Sequence, residues 1–218
     1  TFNNTGIQTG KDSLVIDSNK ESLISRIKEV IDSDDDEMIR AKYSLNDTSG
    51  WNLAKFKSSI FLEEKIVKCD YRPFDTKYIF FDNNALKRDR LSLNKHILNK
   101  KNISLTLKRQ AKFDFSYFLV HRNICESCLF ESAYANNSEF PLYLYPESEQ
   151  QTSIGNSNNR VPNFNKQFIN ELSLKLDLTF TNEKEDAKNT FSPIDILDYI
   201  YAVLHSPNYR EKYKEFLK

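Results

Sequence analysis

Apolar positions along this chain repeat with two periods, one helical and one extended, and the switches between them predict the elements. A short apolar strand, Ser13 to Ile16, comes first. Leu23, Ile24, Ile27, Val30 and Ile31 then fall on one face of an amphipathic helix over Glu21 to Ile31, which Ser18 or Asn19 can cap. The acidic run Asp32 to Glu37 reads as a solvated turn and a favourable N-terminus for a helix over Met38 to Tyr43. Its spacing lacks the glycine and terminal Glu of an EF-hand loop. A helical period returns through Leu53, Phe56, Ile60 and Phe61 across Trp51 to Val67.

The pattern then becomes extended. Val67 to Asp82, VKCDYRPFDTKYIFFD, predicts two strands meeting at Pro73, because proline offers no N–H to a ladder. Its second arm, through Tyr78, Ile79, Phe80 and Phe81, is apolar on both sides, so burial on both sides is expected. Leu86 to Asn99 is a basic turn leading into a short helix. Ile103 to Arg109 alternates strictly, which predicts a strand with one wet face. Phe113 to His121 and Phe140 to Tyr145 are further aromatic strands.

Polar Glu147 to Arg160 is the best linker candidate. Beyond it lie a helix over Phe164 to Leu176 with Asn163 as cap, and one opened by Ser192-Pro193 with Ile196, Ile200, Val203 and Leu204 on its core face. A last helix starts at Pro207. The expected fold is mixed α+β: a twisted, largely antiparallel sheet with flanking helices and a helical C-terminal tail. That sheet would hold Val67 to Cys69, Tyr78 to Phe81, Ile103 to Leu107, Phe115 to Val120 and Leu142 to Tyr145. Residues 1–150 would form the core, and 151–218 a linker and helical subdomain packed on it.

Composition changes this picture little. The 218 residues, 39% hydrophobic and 13% aromatic, suffice for a sizeable core. No apolar run approaches the roughly 18 residues of a membrane span, and no secretory signal opens the chain, so a cytoplasmic protein without a membrane partner is expected. Three cysteines make no disulfide framework and suit a reducing compartment. The chain opens on a polar stretch, TFNNTGIQTG.

Several segments together carry a resemblance. Tyr71-Arg72-Pro73-Phe74-Asp75 with Lys77-Tyr78 resembles the YRPFD-x-RY core of the C-terminal specificity domain of Type ISP restriction-modification enzymes, with Lys77 in place of the usual Arg. Gly6 to Asp12 resembles that family's GxxTGxD entry, Phe140 to Pro146 its FPLYLYP strand, and Asp195 to Lys218 its closing helices, in the family's order. In that family's pattern a further segment would follow the last helix. The resemblance implies a non-catalytic target recognition domain, related to those of Type IIG enzymes. It would read double-stranded DNA beside an upstream adenine-specific DNA methyltransferase domain of the same polypeptide, for bacterial anti-phage defence. The whole enzyme would use S-adenosylmethionine, ATP and Mg, and this chain none of them.

The residues agree that catalysis is not located here. No NPPY-type tetrapeptide, glycine-rich cofactor loop or P-loop is present. Glu63-Glu64-Lys65 has the letters of a nuclease motif but sits in a helical period. His121, Cys125 and Cys128, with Cys69, could be imagined around zinc, yet Cys69 lacks the paired half-site such centres show, and isolated residues are the preferred reading. A protein-interaction module, and less plausibly a stand-alone hydrolase or nuclease, are the competing classes.

Charge placement is more informative than net charge, which is zero. Between Leu86 and Lys112 stand Lys87, Arg88, Arg90, Lys95, Lys100, Lys101, Lys108, Arg109 and Lys112, against one acid, Asp89. Such a block is either solvated surface or a footprint for phosphate. Arg88, Arg90, Arg109, Gln110 and Arg122 have the forks that read base edges, while Lys87, Lys100, Lys101, Lys108 and Lys112 suit phosphates. Gln8 and Arg160 are secondary candidates.

Overall fold

The computed structural model describes residues 1–108, 117–130, 136–146 and 160–217. Where a first strand was expected, the chain makes one helical turn, α1 (Asp12–Val15), before a two-residue strand, β1 (Ile16–Asp17). Helix α2 (Lys20–Asp32) follows, capped by Asn19, with Leu23, Ile27 and Val30 buried. Its Arg26 explains the short strand: the guanidinium donates to the carbonyls of Leu14 and Ile16 at 2.9 Å each, taking acceptors a longer ladder would have used. Asp35 caps α3 (Asp36–Tyr43).

The helical period over Trp51 to Val67 is only partly realised. Helix α4 (Leu53–Lys57) stops at Ser58, and a 3-10 turn at Glu63–Lys65 leads on to the sheet. Ser59 and Lys65 are drawn to the buried Asp82 carboxylate at 2.9 and 2.7 Å, which turns the chain and leaves Ile60 exposed.

The aromatic stretch forms the expected hairpin, β2 (Ile66–Arg72) against β3 (Asp75–Phe80), with Val67 opposite Ile79 and Cys69 opposite Lys77. Ile79 and Phe80 are buried, but Tyr78 and Phe81 only half so, so full burial of that arm does not hold. Pro73 and Phe74 make the turn. Phe74 has φ 62° and is 95% exposed. Proline followed by a positive φ is the pattern of a type II turn, where Gly or Asn ordinarily takes the second place. A phenylalanine there stores about 1–2 kcal/mol of backbone strain.

The remaining elements are α5 (Leu91–Asn94), β4 (Ser104–Lys108), β5 (Phe118–His121), β6 (Ile124–Cys125), β7 (Asn137–Pro141), β8 (Tyr143–Leu144) and β9 (Val161–Pro162). Then come α6 (Lys166–Leu176), β10 (Thr179–Phe180), β11 (Thr190–Phe191), α7 (Pro193–His205) and α8 (Pro207–Lys212). The class is the α+β one expected, but the strands are spread over several sheets: β1-β3-β2-β6, β5-β4-β7, β8-β9 and β10-β11. All pairings are antiparallel except β2 with β6 and β10 with β11. No described helix is long and apolar enough to cross a membrane.

Two compact units interleave along the chain. One holds residues 1–4, 95–122 and 133–218; the other holds 5–94 and 123–132. In the first, Leu105, Leu142, Tyr143 and Leu197 form the core, so helix α7 packs on the three-stranded sheet. The face of β4 expected to be wet is dry, with Ser104, Thr106 and Lys108 all buried. β4 is the central strand, and at Thr106 a hydrogen bond takes the place of water: its Oγ1 lies 2.7 Å from His121 Nε2.

Two buried asparagines fix the first unit where its ladders stop. Asn102 donates to the carbonyls of His96 and Tyr143, both at 2.8 Å, and accepts from the Tyr143 N–H at 3.2 Å. Asn163 does not cap α6, a role taken by Asn165; it donates to the carbonyls of Phe2 and Pro141 and accepts from the Phe2 N–H. We expect Asn102→Ala to cost at least about 2 kcal/mol in urea unfolding, because buried peptide groups lose their partners. Leu197→Ala should cost about 2–4 kcal/mol by the same measurement, as truncation of a buried leucine does. A wild-type midpoint for Leu197→Ala would show that α7 does not support the core.

Candidate nucleic-acid interface

In the second unit the family-like residues bond to one another. Asp12 accepts from the Thr9 hydroxyl and, at 2.7 Å, from the Tyr71 hydroxyl, tying the Gly6-to-Asp12 segment to the first residue of Tyr71-Arg72-Pro73-Phe74-Asp75. The bond to Asp12, and then burial, push the Tyr71 phenol up to about 12. The Tyr71 ring carries Arg72 at 4.0 Å and Lys77 at 4.4 Å. Lys77 thus has a local occupation, completed by Asp75 at 3.5 Å. Gly6 is required by proximity, since a Cβ there would lie 2.6 Å from the Cys125 carbonyl oxygen; Gly10 is required by its φ of 77°.

This entry segment positions the first basic loop. Gln8 and Arg88 exchange two backbone hydrogen bonds of 2.9 Å, and the Lys87 N–H donates to the Thr9 carbonyl at 3.1 Å. Behind them Trp51 Nε1 holds the Ala85 carbonyl at 3.0 Å, and Asp82 Oδ1 accepts from the Asn84 N–H at 2.8 Å. Gln8, a secondary candidate by sequence, therefore stands beside Arg88, a primary one. Only the pairing brings them together, and no local signal announces it.

Lys87 and Arg88 are exposed, and neither forms an ion pair among the described residues. Arg90 is half-buried with φ 53°, and its buried Nε has no hydrogen-bond partner among the described residues. Burial, and then the Arg88 charge, lower its pKa. A partly desolvated guanidinium with an open Nε donor, between the Arg88 and Asp89 charges, is a site that an anion or a base-edge acceptor would satisfy.

The other candidates belong to the first unit. Lys100 and Lys101 lie exposed on the turn between Ile97 and Asn102, where the Asn102 N–H bonds the Lys100 carbonyl. Lys101, Arg122, Arg160 and Lys184 line a hollow of about 150 Å³ together with Glu183. Arg160 is already engaged: it grips Glu183 with Nε at 2.7 Å and Nη2 at 2.5 Å and lies 3.8 Å above the Tyr143 ring. The Glu183 bond raises its pKa. Lys184, itself exposed, pairs with Asp195 at 2.8 Å, which leaves Lys101 and Arg122 as the exposed cations here without an ion pair among the described residues. Lys108 is 3% exposed with its ammonium 5.7 Å from the Tyr117 ring, an orientation directed inward. Arg109, Gln110 and Lys112 lie outside the described residues.

His121 meets Thr106 in the first unit, while Cys69 and Cys125 are buried on the paired strands β2 and β6 of the second.

The profile of the Type ISP C-terminal specificity domain matches residues 1–218. The chain belongs to this family. Among solved structures, this specificity domain is similar to the ATP-dependent Type ISP restriction-modification enzyme LlaBIII bound to DNA, at TM-score 0.70 and 21% identity over 98% of this chain and 14% of that one. It is likewise similar to DrdV in its DNA complex, at TM-score 0.66 and 21% identity over 98% of this chain and 20% of that one. A nuclease-deletion mutant of the Type ISP enzyme LlaGI with a DNA substrate mimic gives 0.63 and 18%, over 100% of this chain and 16% of that one. The chain thus spans between 14% and 20% of the length of these proteins. No curated protein matches it.

Asp82 is the group through which pH reaches this loop. Burial works to raise its carboxyl, but the Lys65 ammonium, the Asn84 N–H and the Ser59 hydroxyl outweigh that and hold it below the usual range. A depressed folded-state value means stability that is present above the unfolded-state value and lost as pH falls through the folded one. The acid limb of wild-type stability, below about pH 4, should therefore be steeper than that of Asp82→Asn in denaturant titrations. Superimposable acid limbs would remove this role.

Proposed function

We propose that this specificity domain reads a short sequence of duplex DNA, positioning it for adenine-N6 methylation and restriction by other domains of a longer polypeptide. The observation that carries the reading is the family match over residues 1–218. It is supported by the DNA-bound state of the solved relatives and by the exposed cations on the paired Gln8 and Lys87–Arg90 loops. Arg88, Arg90 and Arg122 act on base edges with Gln8, and Arg109 and Gln110 belong to the same set by residue chemistry. Lys87, Lys100 and Lys101, with Lys112, neutralise phosphates. Arg160, clamped by Glu183, shapes the hollow beside Lys101.

With zero net charge, the chain by itself should bind duplex only weakly, in about the micromolar range or above at physiological salt. Titrating cognate and scrambled duplexes at several salt concentrations separates the two roles. Lys100→Ala with Lys101→Ala should weaken both duplexes alike and flatten the log–log salt slope by about one per lost contact. Arg88→Ala should instead relax preference at one base pair, by about 1–3 kcal/mol if it makes a bidentate contact. If affinity, salt slope and preference all survive these substitutions, the basic loops are ordinary solvated surface and the reading fails.

A further inference from the structure

The tip of the β2–β3 hairpin is the most exposed large apolar feature among the described residues, and charge reading does not account for it. Phe74 is 95% exposed, and Pro73 beside it is exposed as well. Phe74 also occupies a left-handed conformation, with φ 62°, which bulky side chains rarely adopt. The site therefore keeps a large aromatic ring where glycine would fit without strain and where the ring gains almost nothing from its own fold. Strain held at an exposed residue points to a use outside the molecule.

The turn is also rigid. Beneath it Asp70 accepts from the Thr76 hydroxyl at 2.7 Å and from the Asn123 amide at 3.0 Å, while Tyr71 lies between Arg72 and Lys77 and is anchored by Asp12. The projection is thus fixed before any partner arrives. Its apolar face is two residues wide, far below the roughly 800 Å² that each side of a standard protein interface buries. A single rigid ring of that width matches the spacing of a base step, where Phe and Pro side chains act as wedges.

We propose that Pro73-Phe74 is an intercalating wedge, the Phe74 ring entering between two stacked base pairs. This inference rests on the reading of the chain as a duplex reader and adds a contact that carries no charge. Binding through it should be less sensitive to salt than binding through the lysines, because no counterion is released.

The test uses the longest native polypeptide containing this sequence and a cognate duplex with 2-aminopurine substituted at successive positions. Wild type should raise the fluorescence at one step, where the neighbours unstack. Phe74→Ala and Phe74→Gly should abolish that rise and weaken binding about 10- to 100-fold, the range of an aromatic–base stack. Phe74→Trp should retain both. Phe74→Gly should at the same time hold or raise the thermal midpoint, which a phenylalanine serving only the fold would not allow. Phe74→Ala binding as wild type does, with the fluorescence rise intact, would overturn the wedge and leave the DNA reading standing. If Phe74→Ala instead released a protein contact with duplex binding unchanged, the wedge would again be wrong. Failure of wild type to bind any duplex would overturn both.

Discussion

Unsatisfied backbone is the constraint on which the first unit depends. Its three-stranded sheet ends at Pro141 and the next ladder begins at Tyr143; Leu142 between them keeps backbone partners in Ile103 and Asn163, while the Pro141 carbonyl and the N–H and carbonyl of Tyr143 are met by side chains. Buried N–H and C=O groups cannot remain unpaired. Asn102 and Asn163 supply the missing donors and acceptor from side-chain amides, and the same two residues fix Phe2 and the His96 turn. The aromatic segment Phe140 to Pro146 is held through its backbone as much as through its rings. Lys101 inherits its position from this scheme, because its carbonyl accepts from Tyr145 at 2.9 Å and from Arg160.

The second unit solves a related problem with charge. Asp82 is buried, and Lys65, Ser59 and the Asn84 N–H converge on it. That carboxylate ends one helical run, orients the end of β3 and starts the loop that presents Lys87 and Arg88. The family-like residues Thr9, Asp12, Tyr71 and Arg72 serve the same scaffold, with Arg72 Nη1 also 3.4 Å from Glu126. Thr9, Asp12, Tyr71 and Arg72 therefore build the frame, and exposed side chains, Phe74 of the same motif among them, remain available to contact a partner.

Much of the fold was legible from the chain, for local reasons. The caps at Asn19 and Ser192, the helices α2, α3 and α7, and the hairpin turned at Pro73 all follow from periodicity, capping chemistry and proline's missing N–H. The family was equally legible, because its markers are short, ordered and rich in aromatic residues. The run of cations between Leu86 and Lys112 was visible too, but its use was not. The run is shared between two units, and Lys108 turns inward from a strand whose alternation alone promised a wet face.

What the sequence by itself determined is whatever depends on neighbours within a few residues: element type, caps, the corner and the family signature. Tertiary structure alone decided which polar residues are buried, because burial depends on what lies across a sheet: Thr106 meets His121, and Asp82 gathers Lys65 and Ser59. It also decided that Gln8 lies beside Arg88, eighty positions later in the chain, through two backbone hydrogen bonds that any pair of residue types can make. Such bonds carry no residue code, so the candidate interface could be composed from the sequence but not assembled from it.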